Sequence, residues 1–139
     1  METFDLTPDP KVLIALTHTP MQPLDALCEL IDNAIDSFQA AELQGTPVEH
    51  PIITIDLPRM AEITRGAGII RVRDNGIGLT RDMAEKAIKA GFSGNNPYDS
   101  LGLFGMGFNI STGKMGRRTK FFTARRDEET AIEVIVDLE

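Results

Sequence analysis

A chain of 139 residues, 42% hydrophobic and 25% charged, has the size and composition of one soluble globular domain, which excludes a disordered tail and a fibrous repeat. Its formal net charge of -7 and pI near 4.8 exclude generic attraction to nucleic acid or anionic lipid, so a polyanionic ligand needs a local site. Cys28 alone forms no internal disulfide, METFDLTPDP lacks the order of a signal peptide, and no apolar run nears the roughly 20 residues that span a bilayer. A cytoplasmic setting without a membrane segment is the expectation.

Val12, Leu13 and Leu16 repeat at helical spacing over 10–17, and a longer helix is expected from Pro23 to Leu43, stopped by Gly45 and Pro47. Its core stripe is read as Leu24, Leu27, Ile31, Ile35 and Phe38. IITIDL at 52–57 and GIIRVRD at 68–74 alternate as strands do, the second placing Ile70, Val72 and Asp74 on one face toward the core. A helix follows over 80–90 with Thr80 as its N-cap, then a loop rich in Gly, Asn and Pro. A short helix is expected to begin near Gly107, and TKFFTAR and TAIEVIVDLE form a hairpin around RDEE. This order suits an α/β fold, a two-layer sandwich of helices on a mixed, mainly antiparallel sheet. Residues 1–139 are read as one domain, and a last strand running to Glu139 with no closing element is expected of a fragment of a longer protein.

Three stretches carry chemistry. In CELIDNAIDS, Glu29, Asn33 and Asp36 share one helix face, which reads either as a solvated surface or as a set of ligands. In DNGIGL, Asp74 ends a strand, and Gly76 and Gly78 let the backbone turn tightly and approach a ligand; the alternative is an ordinary turn capped by the acid. A calcium loop from Asp74 is excluded, because Gly76 and Gly78 fall where that loop needs oxygen ligands. In GLFGMGFN, Gly102, Gly105 and Gly107 lead into a helix start, an arrangement that presents backbone amides to an anion such as phosphate. GFNISTGKM is not a phosphate-binding P-loop: Gly107 to Gly113 is one residue too long, and Met115 stands where a Ser or Thr would hold magnesium.

In this order the three stretches resemble the motifs of the GHKL ATP-binding domain, the Bergerat fold of gyrase, the ninety-kilodalton heat-shock chaperone, histidine kinases and MutL. Thr123 in FFTARRDEE resembles that family's threonine supporting adenine recognition. The resemblance covers most of the chain and is closest to the chaperone, MORC and MutL branches. It implies ATP and Mg2+ as ligands, with Asn33 binding the metal and Glu29 acting as base on the attacking water. Asp74 would accept from the adenine amino group with Thr123 in support, and Gly76 and Gly78 would let the base lie close. Amides around Gly102, Gly105, Met106, Gly107 and Phe108 would hold phosphates. Asp36 is assigned to helix or water and Asp32 to solvent.

The implied activity is slow ATP hydrolysis driving closure of a lid over 80–101, with a nucleotide-dependent homodimer or remodelling of a client protein or nucleic acid. In several complete enzymes of the group a following domain supplies a lysine to the terminal phosphate, and without it robust turnover by this chain alone is not expected. A non-hydrolysing regulatory module and a histidine kinase are the alternatives, although His18 and His50 each lie within two residues of a Pro, at expected element ends where a surface role is the expectation. Arg117, Arg118, Lys120, Arg125 and Arg126 form a basic group near the hairpin that reads as solvated surface rather than a nucleic-acid site.

Overall fold

The computed structural model describes residue 18 and residues 20–89 and 106–138. The helix expected over 10–17, most of the expected loop with Gly102 and Gly105, and most of the lid beyond 89 lie outside those residues. The first described helix, α1, runs over Pro23–Leu43. Pro23 takes the first helical position, where its missing N–H costs nothing, and the backbone N–H of Gln22 donates to Asp25 Oδ2 at 3.3 Å. Gly45, at φ 74°, turns the chain out of the helix, and the Thr46 N–H returns to the Ala41 carbonyl at 3.0 Å.

The inner face of α1 is not the one that hydropathy selects. Its buried residues are Ala26, Ala34, Ala40 and Ala41, whereas Leu24 is 69% and Ile35 39% exposed, and Leu27, Ile31 and Phe38 are half-buried. At about 100° per residue, the face buried through Ala26 and Ala40 carries Asn33 and Ser37, and the Leu/Ile stripe lies away from it. Alanines let backbones approach closely, and α1 packs against a later helix, α4, Met106–Met115. The expected core stripe is therefore corrected, and the polar row faces inward.

Two antiparallel pairs make up the strands. β1, Ile53–Asp56, pairs with β2, Arg71–Asp74, with Ile55 opposite Val72; between them lies a five-residue helix, α2, Met60–Thr64, which the hydrophobic pattern does not announce. α2 is held at its start by the Arg59 N–H donating to Glu62 Oε2 at 2.7 Å. α3, Arg81–Lys89, follows, with Thr80 accepting from the Met83 N–H at 3.3 Å as the expected N-cap. β3, Arg118–Ala124, and β4, Ala131–Asp137, form the expected hairpin, with Phe121 opposite Val134 and Thr123 opposite Ile132.

Helices cover one face of the hairpin. Leu79, Ala84 and Ala87 form a buried cluster against Phe121 and Ile132, and Phe108 of α4 meets Phe121 edge to face at 5.7 Å and 83°. On the other face Phe122 and Ile135 are 62% and 51% exposed. The fold is α/β, but among the described residues the four strands do not join into one mixed sheet. After Asp74 the chain turns at Gly76 and Gly78, and the next amide, that of Leu79, donates to the Thr123 side chain instead of a ladder carbonyl. No helix among the described residues is long and apolar enough to cross a membrane.

Candidate functional site

α1 supplies the first wall. Glu29, Asn33, Asp36 and Ser37 are half-buried, while Cys28 and Asp32 are exposed. The Asn33 side-chain nitrogen is buried and has no hydrogen-bond partner among the described residues. Leaving a buried amide donor unsatisfied costs about 1 to 3 kcal/mol, so the position is poised for an acceptor that the described residues do not provide.

DNGIGL supplies the second wall. Asp74 is exposed and does not point into the core as its alternation with Ile70 and Val72 predicts; Ile70 itself is 40% exposed, and β1–β2 is a two-stranded pair not joined to the hairpin. Its Oδ1 accepts from the Gly76 N–H at 2.8 Å, which fixes the carboxylate over the turn. Asn75 clips the turn to the chain entering β1, accepting from the Ile52 N–H and donating to the His50 carbonyl, both at 2.8 Å. A Cβ on Gly76 would lie 2.6 Å from Ser37 Oγ and 2.7 Å from Asp74 Oδ1, so the hydroxyl and the carboxylate flank one point. Gly78, at φ 73°, lies so close to β3 that a Cβ there would sit 2.1 Å from the Ala124 carbonyl oxygen.

Thr123, 8% exposed, closes the base of this wall by accepting from the Leu79 N–H at 2.9 Å. Thr123→Val keeps the shape but removes the acceptor of a buried amide, and a loss of roughly 1 to 3 kcal/mol in denaturant unfolding is expected. An unchanged midpoint would show that the contact is dispensable.

The third wall is α4. The first N–H groups of any helix lack intrahelical partners, so the amides of Met106, Gly107 and Phe108 lie where an anion is favoured. The Phe108 ring is buried against Phe121, so only its backbone could meet a ligand. Asn109, 7% exposed, donates to the Ile88 carbonyl at 2.9 Å and so ties the end of α3 to α4. Neither it nor Asn75 carries a sequence signal beyond residue type; both are recognised only by what they face.

Between α1 and the turn lies a shallow hollow lined by Ser37, Ala40, Gly78, Leu79, Met83 and Arg125, with no described residue of α4 in its lining. Ser37 lines it one helical turn beyond Asn33 on α1, and Glu29, Asn33 and Asp74 do not line it. Arg125 is fixed there by Asp127, at 2.9 and 2.8 Å, and by Glu128 at 3.3 Å. The hydrogen bond to Asp127 raises the Arg125 pKa and lowers that of Asp127, so both stay charged. Arg118 pairs with Asp137 and Lys120 with Glu133, so three of the five basic residues near the hairpin are matched by acids. That pairing favours solvated surface over a phosphate-backbone footprint.

The structure thus brings Asp74, Gly76 and Ser37 together, joins Gly78 and Leu79 to Thr123 and Ala124, and sets Glu29 and Asn33 one turn apart on α1. The family model for histidine kinase-, DNA gyrase B- and HSP90-like ATPases matches residues 21–138. The chain is 29% identical over 116 residues to the ATPase morc-1 of Caenorhabditis elegans, covering 84% of this chain and 12% of that protein. It is 26% identical over 137 residues to the DNA mismatch repair protein MutL of Aquifex aeolicus, covering 92% of this chain and 28% of that protein. The chain therefore spans well under a third of either relative. No solved structure matches it significantly.

Proposed function

The chain belongs to the histidine kinase-, DNA gyrase B- and HSP90-like ATPase family, and on that premise we propose that it binds ATP with Mg2+ and hydrolyses it slowly. The observation that carries this reading is the buried amide nitrogen of Asn33 on the inner face of α1, without a partner among the described residues and one turn before the Ser37–Gly76–Asp74 cluster. A polar side chain held inward without a protein partner fits a ligand: the amide can turn its oxygen to a metal ion or its nitrogen to a phosphate oxygen or bound water. Mg2+ typically takes one or two protein oxygens plus phosphates and waters, and among the described residues no three His, Cys, Asp or Glu side chains cluster to cage it. When bound, the ion would neutralise charge on the phosphates.

The residues divide the work. Asp74, fixed by the Gly76 amide, accepts the adenine amino group, where guanine would present a carbonyl. Thr123 holds the turn through Leu79. Amides at the start of α4 take phosphates, together with those of Gly102 and Gly105. Glu29 orients and deprotonates water. Lid closure over 80–101, a nucleotide-dependent dimer and remodelling of a client extend this proposal and rest on the family resemblance. The likeness to the ATPase morc-1 supports ATP as the ligand.

Calorimetry of the full chain with ATP, with and without Mg2+, tests the reading beside Asp74→Asn. The variant is expected to lose detectable binding, because its amide can turn a donor toward the adenine donor and the misplaced contact costs about 1 to 3 kcal/mol or more. Wild-type affinity in Asp74→Asn would remove the adenine assignment.

A further inference from the structure

Ser37 sits in the last third of a 21-residue helix, where a hydroxyl usually bonds back to the carbonyl one turn before it. Two helical threonines here do so: Thr64 donates to the Met60 carbonyl and Thr112 to the Phe108 carbonyl, both at 2.9 Å. The Ser37 hydroxyl makes no hydrogen bond to any described residue. It lines the hollow with Gly78, Leu79 and Arg125, and shares one point of close approach with Asp74 Oδ1 above Gly76. On α1 it follows Glu29 and Asn33 at intervals of four residues, so it is the third group of the row that faces inward.

We infer that Ser37 is a specificity-determining residue that contacts the nucleotide base, its hydroxyl donating to a purine ring nitrogen while Asp74 accepts from the exocyclic amino group. The inference rests on the ATP-binding reading above and deepens it. The chemistry is that of two adjacent positions: a carboxylate, which only accepts, beside a hydroxyl free to donate. Adenine offers the complementary pair, an amino donor at C6 flanked by the acceptors N1 and N7. Guanine offers a carbonyl at C6 and an N–H at position 1, so on the N1 side both contacts fail together. Two small polar groups on rigid elements, a helix and a tight turn, thereby read one base edge.

The test pairs a protein change with a ligand change. Ser37→Ala in the full chain should fold at least as stably as the wild type, since alanine favours helix and no internal bond is lost. It should bind ATP roughly three- to ten-fold more weakly, the loss expected for one neutral hydrogen bond. Calorimetry with 1-deaza-ATP and 7-deaza-ATP then identifies the contact: with the analogue lacking the contacted nitrogen, wild type and Ser37→Ala should bind alike. If wild type binds ATP but Ser37→Ala matches it, or the difference persists with both analogues, the Ser37 assignment is overturned while that of Asp74 stands. If wild type binds no ATP, the proposed function falls and this inference with it.

Discussion

Gly78→Ala is expected to lower the folding stability of the full chain by roughly 2 to 6 kcal/mol, from backbone strain and overpacking together. At φ 73° any residue with a Cβ is strained, and here the Cβ would sit 2.1 Å from the Ala124 oxygen and 2.7 Å from its carbonyl carbon. Those are backbone atoms at the end of β3, so no side-chain rotation relieves the clash. The turn and the strand would have to separate, and with them the Leu79 to Thr123 hydrogen bond that joins them. Gly45 provides the control: its φ is 74°, yet a Cβ there meets nothing within 4 Å. Gly45→Ala should therefore cost only the conformational penalty, roughly 1 to 2 kcal/mol. Denaturant unfolding of both variants separates strain from contact, and equal losses would disprove the close approach to β3.

Local signals account for what the sequence makes legible. Pro23 at the helix start, Gly45 past its end, Thr80 as N-cap and the strict alternation of Ile132, Val134 and Val136 each act within a few residues, and α1, α3 and the hairpin lie where those signals put them. The failures concern what an element faces. Hydropathy assigns Leu24 and Ile35 to the inside of α1, but the alanines are the buried residues, and the polar row lies on their side. α2 escapes notice because five residues, stabilised by one capping contact, are too few to show a period. Strand partners are likewise nonlocal: nothing in DNGIGL says that the Leu79 amide will take a threonine hydroxyl 44 residues away rather than a strand carbonyl.

The same division runs through the candidate site. Glu29, Asn33, Asp74 and Thr123 belong to short ordered stretches that can be recognised as strings; of these the structure fixes Asp74 at the Gly76 turn and joins Thr123 to Leu79, while Glu29 and Asn33 lie one turn apart on α1. Ser37 has no such signal. A serine in a helix is unremarkable until Gly76 is seen against it and its hydroxyl is found without a partner among the described residues. The loop glycines Gly102 and Gly105 were legible as an anion-binding pattern, but they lie outside the described residues.

Glu29→Ala should slow ATP hydrolysis by roughly 10² to 10⁴ fold while leaving ATP affinity nearly unchanged. Glu29 is half-buried one helical turn before Asn33, so a water ordered near a metal held at Asn33 would be within the reach of its carboxylate. A general base acts on that water in the transition state and contributes little to holding the nucleotide, so binding and chemistry should separate. Asn33→Ala would behave differently, weakening binding chiefly when Mg2+ is present, because its contribution passes through the metal. Single-turnover phosphate release and calorimetry on the same preparations distinguish the two. The measurement belongs in the longest natural form of the protein, since this chain spans only 12% and 28% of the length of the two relatives. If that protein turns over and Glu29→Ala matches its rate, Glu29 is not the base and the non-hydrolysing reading gains.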